Sequence, residues 1–321
     1  MCIRDRNSSL KMANKIIFMG TPIFCVPILK SLYQNGYNIS VVFTQPPQKS
    51  HRGQKINKSP IQGISETLNI DYRTPKTLKD NHVEYEFLKE LNADLAIVCA
   101  YGQIIPENFL NLTKKGFVNI HASILPSWRG AAPIQRSIMN LDPETGISIM
   151  KIKKELDSGP VSNIYKIKID QNQNAQEISE KLSALAAEKI LDNVDDILED
   201  KAKFIDQDHS KATYAKKIDK EESQIDWDED ASKIIGKING LFPSPGASFS
   251  FNGERYKILK AEIGNGIGQV GEIISNQLEV ACNKNQSIKI LEIQRQGKRP
   301  QKISEFMLGS QIKKGSKLSN V

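Results

Sequence analysis

Short apolar runs alternate with longer amphipathic segments over the first half of the chain. The amphipathic segments repeat apolar residues at helical spacing, as in Val26, Leu29 and Leu32. The apolar runs have the length of buried strands and lie at residues 15–19, 39–44, 93–100, 116–121 and 147–152. Strands separated by helices predict a parallel sheet covered by helices on its faces. The predicted fold class is therefore doubly wound α/β.

The last third of the chain has a different pattern. Residues 175–199 predict a long helix, and the polar stretch 204–223 predicts a linker. A short helix is predicted at 231–238, followed by strand-length pieces separated by glycine-containing turns. Those pieces lie at residues 248–251, 256–261 and 288–293. We therefore predict an α/β domain over residues 15–203 and a small β-barrel domain over residues 224–321.

Composition narrows the class of protein. The chain has 321 residues, of which 39% are hydrophobic and 25% are charged. This composition argues against a disordered chain, and no run of apolar residues is long enough to predict a membrane span. The formal net charge is +7, and residues 231–321 alone hold fourteen Lys and Arg against six acidic residues. A basic C-terminal module fits a nucleic-acid partner and equally an ordinary solvated surface, so both interpretations stay open.

The cysteines and the first residues of the chain indicate in which cellular compartment the protein is found. The four cysteines form no C-x-x-C pair, and Cys99 lies inside an apolar run. We expect reduced core residues in a cytoplasmic protein. Residues 1–14 lack the apolar segment of a secretory signal, and we expect them to be disordered or an artefact of the gene model.

Two polar residues share one face of a predicted strand. Asn119 and His121 are two positions apart, so their side chains project from the same face at the end of that strand. In open α/β sheets, this edge lines the crevice where ligands bind. Asp157 lies in a later Gly/Pro loop, where an Asp is usually a turn residue but can also orient the imidazole of His121. Trp128 and Arg129 are candidates for contacting a flat anionic ligand.

Two other kinds of site have weak support. The turn after the first strand contains Gly20 but lacks the G-x-G-x-x-G pattern of dinucleotide-binding proteins, so a nicotinamide-dependent oxidoreductase is disfavoured. The four histidines are not spaced as metal ligands, and no metal is expected. They are His51, His82, His121 and His209.

Five motifs in the same order resemble the methionyl-tRNA formyltransferase family. Each motif is weak alone, and their order over most of the chain makes the resemblance specific. The motifs are Gly20-Thr21-Pro22-x-Phe24, the loop from Thr44-Gln45-Pro46-Pro47 to Lys55, Ala100-Tyr101-Gly102-x-Ile104-Ile105-Pro106, the block from Asn119-Ile120-His121 to Arg136, and Leu156-Asp157-Ser158-Gly159.

The resemblance implies a reaction and its catalytic residues. It implies a Rossmann-like formyltransferase domain followed by a C-terminal barrel similar to the OB fold. The formyl donor would be 10-formyltetrahydrofolate, and the acceptor would be the α-amino group of methionyl initiator tRNA, with no metal. The family's catalytic residues fall on Asn119, His121 and Asp157.

The resemblance also implies two binding regions in a protein that is expected to be a monomer. Contacts with tRNA fall on Arg52, Lys55 and Lys217, although residues 48–51 are less basic than the family's pattern. Contacts with the folate fall on Ala100, Tyr101, Gly102, Ile104, Ser123, Leu125 and Pro126.

Two rival functions fit part of the same pattern. A formyltransferase acting on a small amine, such as a nucleotide-linked amino sugar or glycinamide ribonucleotide, would share the three catalytic residues. It would need neither the basic barrel nor the loop around Arg52. An RNA-binding protein with an inactive α/β domain would have no need for Asn119, His121 and Asp157 together.

Overall fold

The computed structural model describes residues 13–49 and 56–318. The predictions for residues 1–12, Arg52 and Lys55 therefore lie outside the described residues. The first half of the chain alternates strands and helices, as its apolar pattern predicts. These elements are β1 (Lys15–Gly20), α1 (Val26–Gln34), β2 (Asn38–Phe43), β3 (Gln48–Lys49), β4 (Ile56–Asn57), α2 (Pro60–Leu68), β5 (Tyr72–Arg73), α3 (His82–Leu91), β6 (Leu95–Cys99) and β7 (Phe117–His121).

The second half continues with a long helix and then a series of strands. Short 3₁₀ turns lie between several of these elements, including Ile23–Cys25, Glu107–Phe109, His209–Lys211, Glu221–Ser223 and Asn283–Asn285. The helices and strands are β8 (Arg129–Gly130), α4 (Pro133–Met139), β9 (Glu144–Lys151), β10 (Val161–Lys168), α5 (Ala175–Leu198), β11 (Tyr214–Ala215), α6 (Ala231–Leu241), β12 (Ser248–Phe251), β13 (Glu254–Gly264), β14 (Glu279–Cys282), β15 (Gln286–Arg295), β16 (Gln301–Lys302) and α7 (Ile303–Gly309).

Seven strands form the main sheet in the order β10-β9-β7-β6-β1-β2-β5. The pairs from β7 to β5 are parallel, but β9 runs antiparallel to β7. The prediction of an all-parallel sheet is therefore wrong at this edge. A parallel return from β7 would need a crossover helix on the sheet. The helix in that connection, α4, instead packs against α6.

The centre of the sheet is buried and positions the polar residues at its edge. In β1, Ile17 is fully buried, and β6 is buried along its whole length. Cys25, Cys99 and Cys282 are buried and form no disulfide in the described part of the chain, as predicted. Because β1, β6 and β7 are parallel, their carboxyl ends meet at one edge of the sheet.

A second, antiparallel sheet lies in the C-terminal part of the chain. Its order is β12-β13-β15-β14, with β16 paired to β15. Its core holds Trp227, Phe249, Tyr256 and Phe306, whose rings contact one another in series. The strands predicted at 248–251, 256–261 and 288–293 are confirmed as β12, β13 and β15. Closure into an OB-like barrel stays a prediction.

Internal contacts divide the chain into two units with interleaved segments. The first unit comprises the chain up to Arg129, Gly146–Ile167 and Glu180–Tyr214. The second comprises Gly130–Thr145, Lys168–Ser179 and the chain from Ala215 onward. This division differs from the single boundary between domains that the sequence predicts. The domain boundaries at 203 and 224 stay predictions.

Two glycines allow close packing inside the second unit. Gly236 and Gly240 lie one turn apart on α6. A Cβ at Gly240 would lie 2.5 Å from Met139 Cγ and 2.9 Å from the carbonyl oxygen of Gln135, both on α4. The absence of side chains therefore lets the two helices approach closely. No helix among the described residues is both long and apolar enough to cross a bilayer.

Glu279 is a buried carboxylate that fixes a loop of the second unit. Its Oε1 accepts hydrogen bonds from Asn265 N at 3.1 Å, Gly266 N at 2.8 Å and Ser287 Oγ at 2.6 Å. Burial alone raises the pKa of this carboxyl, but the hydrogen bonds from Ser287, Gly266 and Asn265 and the charge of Lys289 together outweigh it and hold the pKa below its usual value. The charged form of Glu279 therefore stabilises the folded state.

We expect Glu279→Gln to flatten the dependence of the unfolding free energy on pH. Because the pKa is lower in the folded state, the stabilisation is present above the unfolded pKa of about 4.3 and is lost as pH falls through the folded value. Glutamine keeps the accepting oxygen but does not titrate. Urea unfolding of the Trp128→Phe background at several acidic pH values, followed by the fluorescence of Trp227, measures the slope, with exposed Glu90→Gln as the control. Equal slopes for wild type and Glu279→Gln would contradict this prediction.

Candidate active site

His121 is the last residue of β7 and is almost completely buried. Its Nε2 lies 2.9 Å from the carbonyl oxygen of Trp128. A carbonyl can only accept, so Nε2 carries a proton in this contact. The other ring nitrogen, Nδ1, lies 3.6 Å from Oδ2 of Asp157. This separation exceeds a direct hydrogen bond but keeps the carboxylate beside the ring.

Asn119 lies two residues earlier on the same face of β7. It pairs with Val98 of β6 and Met150 of β9 and is partly buried. Within residues 13–49 and 56–318, no hydrogen bond holds its side-chain amide. The structure therefore leaves this amide able to donate to a ligand at the carboxyl edge of the sheet.

Asp157 lies in the loop that follows β9, as predicted. Its φ is +46°, in the left-handed region that is costly for a residue other than glycine. Two residues later, Gly159 packs against the end of β9, where an added Cβ would lie 1.9 Å from the carbonyl oxygen of Lys151. Close packing therefore brings the Asp157 carboxylate next to His121.

The segment predicted to bind folate begins with a turn at the end of β6. Ala100 and Gly102 both have positive φ, at +44° and +80°. Gln45 Nε2 donates to the carbonyl oxygens of Tyr101 at 3.3 Å and Gly102 at 2.9 Å. The phenol of Tyr101 is buried, which raises its pKa and keeps it neutral, whereas the side chain of Ile104 is 89% exposed. The turn offers backbone groups and one apolar side chain.

The second predicted folate segment follows β7. The side chain of Ser123 is buried, and its Oγ donates to the carbonyl oxygen of Ser127 at 2.6 Å. Leu125 is buried too, and its N–H donates to Ser148 Oγ at 3.1 Å. Pro126 is partly buried and follows a cis peptide bond. Ser148 Oγ also donates to the carbonyl oxygen of Ser123 at 2.7 Å, so Ser148 holds the backbone of both residues and their contact with folate stays a prediction.

The structure contradicts the expectation that Arg129 contacts a ligand. Its side chain is 3% exposed, and its guanidinium donates to Gln207 and His209. Gln207 and His209 were missed by sequence reasoning, because both lie in the segment predicted as a linker. Their polar character gave no signal, since polar residues are expected in linkers.

Lys217, the third predicted tRNA contact, lies in the second unit, whereas Arg52 and Lys55 lie outside the described residues. Its side chain is exposed, and its carbonyl oxygen accepts from Arg136 Nη2 at 3.2 Å. Arg136 also forms a two-point ion pair with Glu222, which raises the pKa of Arg136 and lowers that of Glu222. The backbone that carries Lys217 is thereby held in place.

Two sequence families match this chain. The Formyl transferase family matches residues 14–194, and the family described as Formyl transferase, C-terminal domain, matches residues 217–311. The chain is 66% identical over 310 residues to methionyl-tRNA formyltransferase of Pelagibacter ubique (strain HTCC1062), covering 97% of this chain and all of that protein. It is 39% identical to methionyl-tRNA formyltransferase of Mesorhizobium japonicum, covering 96% of this chain and all of that protein.

Solved structures share the fold at lower identity. The N-formyltransferase from Helicobacter canadensis, in complex with folinic acid and dTDP-3-aminofucose, aligns with a TM-score of 0.68 and 18% identity, covering 88% of this chain and 99% of that one. WlaRD, a sugar 3N-formyl transferase, aligns with a TM-score of 0.66 and 18% identity, covering 90% and 99%. The fold, the two family matches and the full-length match to curated relatives agree: the chain belongs to the methionyl-tRNA formyltransferase family.

Proposed function

We propose that Asn119, His121 and Asp157 carry out formyl transfer in this enzyme, from 10-formyltetrahydrofolate to the α-amino group of methionyl initiator tRNA. The observation that supports the proposal is the approach of His121 Nδ1 to Asp157 Oδ2, 3.6 Å, at the carboxyl end of β7. Asn119 projects from the same face of that strand. The three groups can therefore act on one reacting carbon.

The donor's place at the site is supported by the turn after β6. Backbone amides of Ala100 and Gly102, with exposed Ile104 beside them, suit a flat heteroaromatic ring that needs hydrogen bonds at its edge and apolar contact on its face. When bound, 10-formyltetrahydrofolate supplies the electrophilic formyl carbon. The residues of the chain orient this donor and stabilise the charge that develops on its formyl oxygen.

Asn119 and His121 stabilise the charge that develops on the formyl oxygen. The free amide of Asn119 donates one hydrogen bond, and the Nδ1 side of a protonated His121 donates another. Because Nε2 faces the Trp128 carbonyl, Nδ1 is the nitrogen on the side of Asp157 and the reacting group. One preorganised donor of this kind is worth about 3 to 4 kcal/mol in related acyl transfers.

Asp157 acts on two groups, the α-amino group of the acceptor and the imidazole of His121. A free α-amino group has a pKa of about 7.7 to 8.0, so a useful fraction is neutral near pH 7 and can attack. After attack, the nitrogen must lose a proton. The carboxylate of Asp157, which is 14% exposed, accepts it directly or through water and can return it to N10 as the bond from N10 to the formyl carbon breaks and tetrahydrofolate leaves. The same carboxylate lies beside the imidazole of His121 and can orient it.

The tRNA partner is supported by the basic C-terminal module and by Lys217. Residues 231–321 hold fourteen Lys and Arg against six acidic residues, a balance that favours phosphate contacts. We further propose that the enzyme acts as a monomer in the cytoplasm, where its tRNA acceptor is used in translation.

Purified protein incubated with 10-formyltetrahydrofolate and methionyl initiator tRNA tests the function. Free methionine and methionyl elongator tRNA are the controls, and formyl-methionine is followed by mass spectrometry. We expect transfer only to the initiator tRNA. Transfer to none of them, with folate still bound, would instead favour a small amine as the acceptor.

We expect Arg52→Ala to impair use of the tRNA acceptor chiefly. Removing one phosphate contact should raise KM for the tRNA and reduce the slope of log KM against log salt by about one, because fewer counterions are released. KM for 10-formyltetrahydrofolate should not change. Steady-state kinetics at several salt concentrations measure both, with surface Lys89→Ala as the control. If KM for the tRNA and its salt dependence are unchanged, Arg52 does not contact the tRNA acceptor.

A further inference from the structure

A buried guanidinium lies next to the proposed active site without contacting the reacting groups. Arg129 is 3% exposed, and its Nε and Nη2 donate to Gln207 Oε1 at 3.2 and 2.8 Å. Nη2 also lies 3.1 Å from His209 Nδ1. Since a guanidinium can only donate, His209 Nδ1 is the acceptor and carries no proton here. Burying a charge is costly unless hydrogen bonds such as these offset its lost hydration.

These contacts fix the orientation of the Gln207 amide. Its oxygen faces Arg129, so its NH₂ group points the other way. There, Nε2 donates to the carbonyl oxygens of Asp157 at 2.9 Å and Gly159 at 2.7 Å. With a donor-only group on one side and two acceptors on the other, a flipped amide would lose every one of these bonds. Arg129 thereby determines which way Gln207 points.

The loop that Gln207 holds is strained at the catalytic residue. Asp157 has a φ of +46°, which is unfavourable for an amino acid with a Cβ. Such a conformation persists only when surrounding contacts enforce it. The two hydrogen bonds from Gln207 bracket Ser158 and hold the backbone on both sides of it.

The same segment holds His121. The residue before Arg129 is Trp128, whose carbonyl oxygen lies 2.9 Å from His121 Nε2. Thr213 fixes both residues, because Trp128 N donates to Thr213 Oγ1 and Arg129 N donates to Thr213 O, each at 2.9 Å. Two consecutive residues are therefore connected to both partners of the His121–Asp157 pair.

We propose that Gln207, oriented by buried Arg129, is a positioning residue that sets the Asp157 carboxylate beside His121 for formyl transfer. This inference rests on the proposed function of Asp157 and His121. Gln207 touches neither substrate nor reacting atoms. It acts through the backbone of Asp157 and Gly159 only.

Gln207→Glu is the discriminating variant. A carboxylate still accepts from Arg129 and forms an ion pair with it, so the buried guanidinium keeps a partner and the fold is retained. It cannot donate to the carbonyls of Asp157 and Gly159. We expect kcat to fall about 10- to 100-fold, the loss typical of a misplaced catalytic group, with KM for both substrates within about twofold of wild type. The Tm should fall because two hydrogen bonds are lost, but unfolding should stay cooperative.

Two further variants, Asn81→Asp and Asp157→Asn, are measured in the same assay. They distinguish failure of the positioning role from failure of the proposed function. Asn81→Asp is the matched control, because it also turns an amide that donates to a backbone carbonyl, that of Thr77, into a carboxylate. It should keep wild-type kcat. If Gln207→Glu keeps wild-type kcat while Asp157→Asn is inactive, the positioning role is overturned and the proposed function stands. If Asp157→Asn is active, the proposed function itself fails.

Discussion

Asp157→Asn and His121→Ala should each lower kcat by about 10²- to 10⁴-fold while leaving affinity for methionyl-tRNA near the wild-type value. The amide of asparagine cannot accept the amine's proton or balance the charge of an imidazolium. Removing the imidazole deletes a donor to the formyl oxygen. Both side chains are largely buried beside each other, with Nδ1 and Oδ2 3.6 Å apart, so neither has a large surface to offer the tRNA.

Single-turnover kinetics and a separate tRNA-binding measurement check this prediction. The double variant provides a further test, because groups that act as one unit lose activity non-additively. Losses of similar size in kcat and in tRNA affinity would contradict the assigned roles.

Gly159→Ala should damage both stability and turnover. The added Cβ would lie 1.9 Å from the carbonyl oxygen of Lys151, a backbone atom at the end of β9. That strand cannot yield easily, because Lys151 N donates to the carbonyl oxygen of Pro160 at 2.9 Å. Overpacking of this kind costs about 1 to 3 kcal/mol, and the displaced loop carries Asp157, so kcat should fall about 100-fold.

Gly63→Ala is the matched control for this substitution. Gly63 lies inside α2, and apart from its own helix backbone and its two neighbours in the chain, no described heavy atom lies within 4 Å of an added Cβ. Alanine should stabilise that helix by about 1 kcal/mol, because it has the higher helix propensity. Chemical unfolding and kcat are measured for both variants. Wild-type values for Gly159→Ala would show that the loop adapts and does not fix Asp157.

Local patterns were sufficient to predict the central strands and the position of two proposed catalytic residues, Asn119 and His121, on β7. Asn119 and His121 follow from a two-residue spacing on an apolar run, which places both on one face wherever the strand lies. Asp157 could be placed in a loop by its neighbours, but its approach to His121 depends on how β9 returns to the sheet. The antiparallel direction of β9 has no local signature in the sequence.

The surroundings of the site depend on contacts between distant residues. Arg129 in a Trp-Arg loop suggests ligand binding, and only the position of Gln207, 78 residues later, shows that it is used internally. The interleaved segments of the two units are equally invisible to local periodicity. Residues that bind atoms far along the chain cannot be assigned from spacing alone.

The interleaving of the two units also sets an order of events during synthesis. Helix α4 emerges early, while its partner α6 begins about a hundred residues later, at Ala231. At a synthesis rate of about 5 to 20 residues per second, α4 is made roughly 5 to 20 s before α6, the helix whose glycines it packs against. The nascent chain therefore carries the segment Pro133–Met139 without its packing partner until most of the protein has been synthesised, and during that interval the segment is open to chaperones and proteases.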